Sequence, residues 1–319
     1  MFRFAISFFA GLVALTGAAE AQNYPSRPVT IIVGFGQGGP DTNARLLAAQ
    51  LAAQTGGNFV VENKPGATGM IGAETVAHAA PDGYTLLMSP ASIASLPAMH
   101  KGLSFDLQKD FVPISIVSRS EASFLVATNS LPAKNLQELI ALAKSKSVAY
   151  SSTGIGTGSH LRMALFGQAN AIKLNHIPFK SPGEALSSII NGETQIQFLT
   201  SSQALPYLKE GKIRALAFDS NKRAEFMPDV PTIVEAGAQP TNLDSGWNGL
   251  LAPKGTPPEV IAWLEKQVKI ALQNPGLRAQ LDNLGLTPTG STGAEFAVAL
   301  KAAVDSMGAA VQAAGIKQK

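Results

Sequence analysis

Val29-Thr30-Ile31-Ile32-Val33-Gly34-Phe35-Gly36-Gln37-Gly38-Gly39-Pro40-Asp41-Thr42-Asn43-Ala44-Arg45 sets the pattern for the rest of the chain. A β-branched run ends in a glycine-rich turn. The turn leads into Ala44-Arg45-Leu46-Leu47-Ala48-Ala49-Gln50-Leu51, whose apolar residues have helical spacing. The stretch predicts strand, glycine loop, helix. First-turn amides of a helix have no partner inside it, and with the helix dipole they form a site for an anion. Gly38 and Gly39 carry no side chain, so a ligand can approach the backbone closely. The expectation is a loop that holds a small carboxylate. A tight β-to-α turn without a ligand is the plainer alternative. Gly34-x-Gly36-x-x-Gly39 also fits the dinucleotide fingerprint, with Glu62 ending the next strand. Pro40 at the helix start, the Asp41 charge beside a pyrophosphate and the signs of export all count against that fit.

Those signs are at the start of the chain. Met1-Phe2-Arg3 is followed by an apolar run over 4–15 and then Ala19-Glu20-Ala21, the three regions of a secretory signal peptide. Cleavage is expected after Ala21, which releases the mature protein into a periplasm. The 319 residues contain no cysteine, which excludes disulfides, a cysteine metal site and a cysteine-linked lipid anchor. About 300 mature residues suffice for two domains. The net charge of +3 is spread along the chain, with no basic tract for nucleic acid. Such an excess modestly favours small anions.

Further along, Phe59-Val60-Val61-Glu62 reads as a strand, 71–79 as a helix and Tyr84-Thr85-Leu86-Leu87-Met88 as a third strand. That strand delivers the chain to the polar loop Ser89-Pro90-Ala91-Ser92. Strand and helix alternate, which predicts a largely parallel sheet with helices on both faces and ligands outside the strands' carboxyl ends. Ala91 and Ser92 would then share an edge with the loop at 36–41. Phe124-Leu125-Val126-Ala127-Thr128 is expected to leave the first lobe, and Ile213-Arg214-Ala215-Leu216-Ala217-Phe218 to return to it. This division gives a discontinuous first lobe, 22–123 and 220–319, and a second lobe, 124–219. Between the crossings, Val148-Ala149-Tyr150-Ser151-Ser152 runs into Thr153-Gly154-Ile155-Gly156-Thr157-Gly158-Ser159-His160 and a helix over 161–168. The opening theme repeats, as expected if two half-sites face each other across a cleft. Helices are also predicted at 257–273, 276–284 and 294–313, with a strand in 246–253.

Several of these stretches together resemble a known family. They are Gly38-Gly39-Pro40-Asp41 with Ala44-Arg45, Val60-Val61-Glu62-Asn63-Lys64-Pro65-Gly66-Ala67, and Ala80-Pro81-Asp82-Gly83-Tyr84-Thr85-Leu86-Leu87. Lys109-Asp110-Phe111-Val112-Pro113-Ile114, His160-Leu161, Gly211-Lys212-Ile213-Arg214-Ala215-Leu216-Ala217, Asp229-Val230-Pro231-Thr232 and Gly249-Leu250-Leu251-Ala252-Pro253 add to the likeness. The family is the tripartite tricarboxylate transporter substrate-binding proteins, also called the Bug family, of the TctC type. The resemblance implies an α/β, two-lobed periplasmic binding protein of type II (Venus flytrap) architecture, with mixed, mostly parallel sheets. It implies capture of a carboxylated small molecule for a pair of membrane permease subunits. The ligand carboxylate would lie between the loops at 35–41 and 153–160, partly through bound water, with Ser92 the next candidate. Two departures stand out. Pro40 is the only residue between Gly39 and Asp41, where the family usually has two. The place where some relatives carry an aspartate is apolar here, at Leu199, which points to a ligand without an amino group.

The candidate ligand-binding residues are Phe35, Gly38, Gly39, Asp41, Ala91, Ser92, Ser152, Thr153, Gly156, Thr157, Gly158, Ser159, His160, Arg162, Lys180 and Leu199. Phe35 would cover the ligand's apolar body or belong to the core. The hydroxyls of Ser152, Thr153, Thr157 and Ser159 can donate, and Thr157 or Ser159 can cap the helix that follows. His160 fits a hydrogen-bonding or capping role, because adjacent helix residues such as Ser159 and His160 do not face each other as a nucleophile and base. Arg162 lies in a first turn, where the dipole disfavours a cation. It is expected to face solvent or to reach a second ligand carboxylate, and Lys180 has the same two options. Trp247 is expected to pack in the first lobe near the hinge that the crossing strands at 124–128 and 213–218 would form. No G-x-S-x-G elbow or H-x-x-x-H pair is present, so neither an enzyme nor a metal site is expected. No cofactor is expected, and the protein is expected to be a monomer. A ligand sensor feeding a signalling receptor is the competing class; an exported enzyme is the remoter one.

Overall fold

The computed structural model describes residues 24–317 apart from 121–122, 225, 242 and 244–245, so the expected signal peptide lies outside the described residues. Two mixed sheets carry the fold, one to each lobe. The first lobe opens with β1 (Val29–Val33), α1 (Gly39–Thr55), β2 (Phe59–Asn63), α2 (Met70–Ala77), β3 (Thr85–Pro90), α3 (Leu96–Met99) and β4 (Phe111–Ser120). The second lobe follows with β5 (Ser123–Thr128), α4 (Leu136–Ser145), β6 (Val148–Ser152), α5 (Gly158–Ala169), β7 (Leu174–Pro178), α6 (Pro182–Ile190), β8 (Ile196–Thr200), α7 (Ser201–Lys209) and β9 (Ile213–Asp219). The chain then completes the first sheet with β10 (Trp247–Pro253), α8 (Pro258–Ala271), α9 (Pro275–Asn283), β11 (Leu286–Pro288) and α10 (Gly293–Ala313).

The six-stranded sheet has the order β11-β4-β10-β3-β1-β2, and the five-stranded sheet β7-β6-β8-β5-β9. Helical crossovers impose parallel pairing of β1 with β2 and β3, and of β6 with β7 and β8. Antiparallel pairs complete each sheet where the chain arrives from the other one, at β10 and at β5. Both faces of the first sheet are covered. Val29, Ile31 and Val33 pack with Leu47 and Leu51 of α1 and Leu264 and Val268 of α8, while Ile32 and Leu87 pack with Val76 of α2 and Phe296 of α10. In the second sheet, Leu125 and Tyr150 pack against Leu139 and Phe166, and Phe124 and Val126 against Ile189 and Ala204.

Two glycines explain the start of the fold. A Cβ on Gly34 would sit 2.7 Å from the Gly69 Cα, and one on Gly72 2.7 Å from the Gly34 Cα. The first of the fingerprint glycines therefore serves close packing of α2 against the end of β1. Helix α1 starts earlier than the 44–51 pattern predicts, at Gly39, because Pro40 fits the first helical turn, where a missing N–H costs nothing. Helix α5 likewise begins earlier than expected, at Gly158 rather than 161, because its first turn, Gly158-Ser159-His160, carries no apolar residue to extend the pattern. Residues 226–238 and Ala224, expected with the first lobe, pack on the second instead. Ala224 and Val230 join the cluster around Phe124, Ile233 and Ala238 join the one around Phe166, and Thr232 bridges to Phe218. Sequence reading also missed β4, α7 and β11, where Pro113, Pro206 and a three-residue length mask the pattern.

Candidate functional site

The carboxyl ends of the parallel strands in both sheets converge on one cavity of about 170 Å³ between the lobes. From the first lobe come Phe35 and Gly36 after β1, Gly39 and Pro40 at the start of α1, and Ala91 and Ser92 after β3. From the second come Thr153, Thr157, Gly158 and Ser159 after β6, Pro182 at the start of α6, and Thr200 and Gln203 at the start of α7. The N-termini of α1, α5, α6 and α7 thus border the same space. Leu161 N–H is the first of α5 to close onto the Thr157 carbonyl, so the amides of Gly158 and Ser159 precede the helix ladder. The dipoles of these helices place partial positive charge around the cavity. Among the described residues, Arg162 is the one ionisable side chain lining it.

Arg162 lines the cavity but does not face solvent. Its side chain is 7% exposed and ion-paired with Asp219, which is 5% exposed. The same Nη1 donates to Thr241 Oγ1 at 3.1 Å and to the Leu243 carbonyl at 3.0 Å. The expectation that it faces solvent is corrected: the cation is buried near the start of α5, where the Asp219 carboxylate neutralises it.

Other predicted residues fall beside the cavity rather than on it. Asp41 is buried and held by Asn63 Nδ2 at 2.9 Å and by Arg45 at 3.0 Å, so its carboxylate supports the loop. Gly38 borders an adjoining cavity of about 280 Å³ together with Leu199, which packs in the core around Phe124. Gly156 has φ +79° and lies against Met99 of the first lobe. Lys180 is exposed on a wide cleft of about 710 Å³ on the other side of Phe35 and Thr153.

Ser152 and His160 belong to a buried stack under the second glycine loop. The rings of His160 and His176 are 3.9 Å apart and 8° from parallel, and Tyr150 covers His176 at 4.8 Å. Gly156 N–H donates to His160 Nδ1 at 2.9 Å, which leaves that nitrogen unprotonated. Ser152 Oγ bonds His176 Nε2 at 2.6 Å. Burial pushes His160 down to about 4, with the neighbouring His176 adding to it, and burial pushes His176 down to about 4 as well. Ser152 is fully buried, so this Ser–His contact is not presented to a ligand. The expected role of His160 in hydrogen bonding holds geometrically, as a brace for the loop. At the cap position, Thr157 turns its hydroxyl to the Gly154 carbonyl at 2.7 Å.

The lobes touch across the cleft. Thr68 Oγ1 donates to the Ile155 carbonyl at 3.0 Å, and Ser95 Oγ to the Gly156 carbonyl at 3.0 Å. Sequence reading missed Gln197, Phe198, Thr200 and Gln203 on the second-lobe wall, and Asn248 and Met307 on the first. Gln197 carried a signal, an amide inside the apolar run Ile196-Gln197-Phe198-Leu199, since buried polar residues are the informative exceptions. Trp247 both packs edge-on against Phe296, at 4.8 Å, and borders the cavity.

Known proteins resemble this chain along most of its length. Residues 43–316 match the model of the tripartite tricarboxylate transporter family receptor, TctC. The chain is 33% identical over 293 residues to BugT of Bordetella pertussis, covering 90% of this chain and 89% of that protein. Rpa4515 of R. palustris, solved with adipate, is 29% identical with a TM-score of 0.87, covering 93% of this chain and 100% of that one. MatC of Rhodopseudomonas palustris, solved with bound malate, is 31% identical with a TM-score of 0.82, covering 90% and 100%.

Proposed function

The chain belongs to the tripartite tricarboxylate transporter receptor family, and from that premise we propose that it captures a small organic carboxylate outside the cytoplasm and delivers it to membrane permease subunits. Its fold is the two-lobed, type II architecture of periplasmic binding proteins. The observation that carries the reading is the convergence of helix N-termini on a cavity with no acidic side chain among the described lining residues. The adipate and malate held by two relatives are ligands of that chemistry. In this reading a carboxylate is anchored by the amides of α1 and α5, the glycines at 39 and 158 allowing close approach. Ser92, Thr153, Thr157 and Ser159 add hydroxyl donors. Phe35 and Trp247 cover the apolar body.

Closure turns about the two crossing strands, near 124–128 in β5 and 213–218 in β9. The first lobe then comprises the chain up to β4 and from β10 onward, and the second the chain between. The protein acts as a periplasmic monomer. Native-state binding raises the melting temperature. Thermal-shift screening of adipate, malate, citrate, benzoate and glutamate, followed by calorimetry, is expected to find at least one acid that binds with a stoichiometry of one. A flat response to every carboxylate, with a response to sugars or amines instead, would overturn the proposal.

A further inference from the structure

The space between the lobes does not end with the main cavity. The adjoining cavity, about 280 Å³ against about 170 Å³, is the larger of the two. Four residues wall both: Gly39 at the start of α1, Pro182 at the start of α6, Gln203 of α7 and Leu286 of β11. Gly39, whose amide faces the carboxylate in the reading above, therefore stands where one space passes into the other.

The walls of the second space are apolar and come from both lobes. Leu186, Leu199, Pro206 and Tyr207 belong to the second lobe, and Leu284 and Leu286 to the first. Its described lining residues include no Asp, Glu, Lys, Arg or His. The lobes already meet beside it, where a Cβ on Gly285 would lie 2.4 Å from the Ser201 Cβ. Leu186, Tyr207 and Leu284 nonetheless remain half-buried, so apolar surface from both lobes still borders the gap. Covering such surface with another apolar group is favourable in proportion to the area taken from water.

Resting on carboxylate capture at the main cavity, we propose that the adjoining cavity is a subsite for an apolar tail on the same acid. The carboxylate sits at the helix N-termini, and an alkyl chain or an alkylated ring runs past Pro182 and Gln203 along Leu186 and Tyr207 on one side and Leu284 on the other. Such a tail touches both lobes at once, so its contacts favour the closed arrangement over the open one. Gln37 and Pro206 on the lining are exposed, so the far end of the tail reaches water and is free to be charged or neutral.

Three matched pairs test this, each adding four carbons to the same acid: butanoate and octanoate, succinate and suberate, benzoate and 4-butylbenzoate. Calorimetry at neutral pH is expected to show the longer member binding about tenfold or more tightly, with a stoichiometry of one, in at least one pair. Leu186→Gln combined with Leu284→Gln makes a wall in each lobe polar. That variant is expected to cut the gain to about threefold or less while the shorter member keeps its affinity within about threefold. Its circular dichroism and cooperative melting establish that it folds. Longer members that bind no more tightly than the shorter ones in every pair overturn the proposal, and so does a gain that survives the double variant. Failure of all six acids to bind overturns it too. The wider carboxylate screen then decides separately whether acid capture itself stands.

Discussion

Arg162 and Asp219 show how a single contact changes the meaning of a residue. A guanidinium near the start of a helix is opposed by the dipole, and a helix read as beginning at 161 leaves only solvent or ligand as partners for Arg162. The true partner is 57 positions away, at the end of β9, where no local spacing could reveal it. The pair also gathers Thr241 and Leu243, so it fixes the return path of the chain behind the cavity. Breaking it by Arg162→Met leaves the Asp219 carboxylate buried without its countercharge. Urea unfolding at neutral pH is expected to show a loss of about 3–5 kcal/mol. Replacing both residues, Arg162→Met with Asp219→Leu, is expected to recover much of the loss, because the unpaired charge is gone. A single variant within about 0.5 kcal/mol of the wild type would show the pair to be of little structural weight.

At the scale of elements, the glycine loop after β6 is set by its contact with the other lobe. Gly156 takes a positive φ, and a Cβ there would overlap Met99 Sδ. Gly156→Ala is therefore expected to hinder closure and to weaken ligand binding about tenfold or more. Gly183→Ala, in α6 with nothing within 4 Å of its Cβ, is expected to leave affinity within about threefold. Equal affinities for the two variants in calorimetry would remove the loop from the closing contact. This loop and its twin after β1 were legible because strand, glycine turn and helix form a local pattern. So were α8 and α10, whose apolar faces recur at helical spacing; α10 opens on the Thr292–Glu295 capping box. The opposite wall was not legible. Helix α7 carries Pro206 in its interior and β4 carries Pro113, residues that normally end such elements. Thr200 caps that unrecognised helix and Gln203 lies in its first turn. Among the expected residues, Leu199 and Asp41 went to the core and to loop support, because hydrophobic fit and a paired carboxylate are satisfied inside the protein.

For the whole molecule, the stacked histidines couple stability to acidity. Both stay neutral when buried, with values near 4 against an ordinary 6.5. The unfolded chain takes up protons below about 6.5 while the native state does not. The stability they contribute is therefore complete above that value and is lost as pH falls towards about 4. The slope across that window is about 1.4 kcal/mol per pH unit for each histidine. Melting temperature is expected to drop over the same interval, and His160→Asn with His176→Asn to flatten the drop. An unchanged slope in that double variant would assign the acid sensitivity to other groups.

The order of strands in the first sheet carries a consequence for how the protein comes to be folded. Strand β10 lies between β3 and β4, yet it is made after the entire five-stranded sheet. A nascent chain that stops short of it holds the first sheet in two separate pieces, β2-β1-β3 and β4 alone, with no shared ladder. The inserted sheet, by contrast, has all its strands in hand by β9 and can consolidate while its host waits. The half that begins the sequence is thus the half that finishes last, and its apolar central edges stay uncovered until the closing strand arrives.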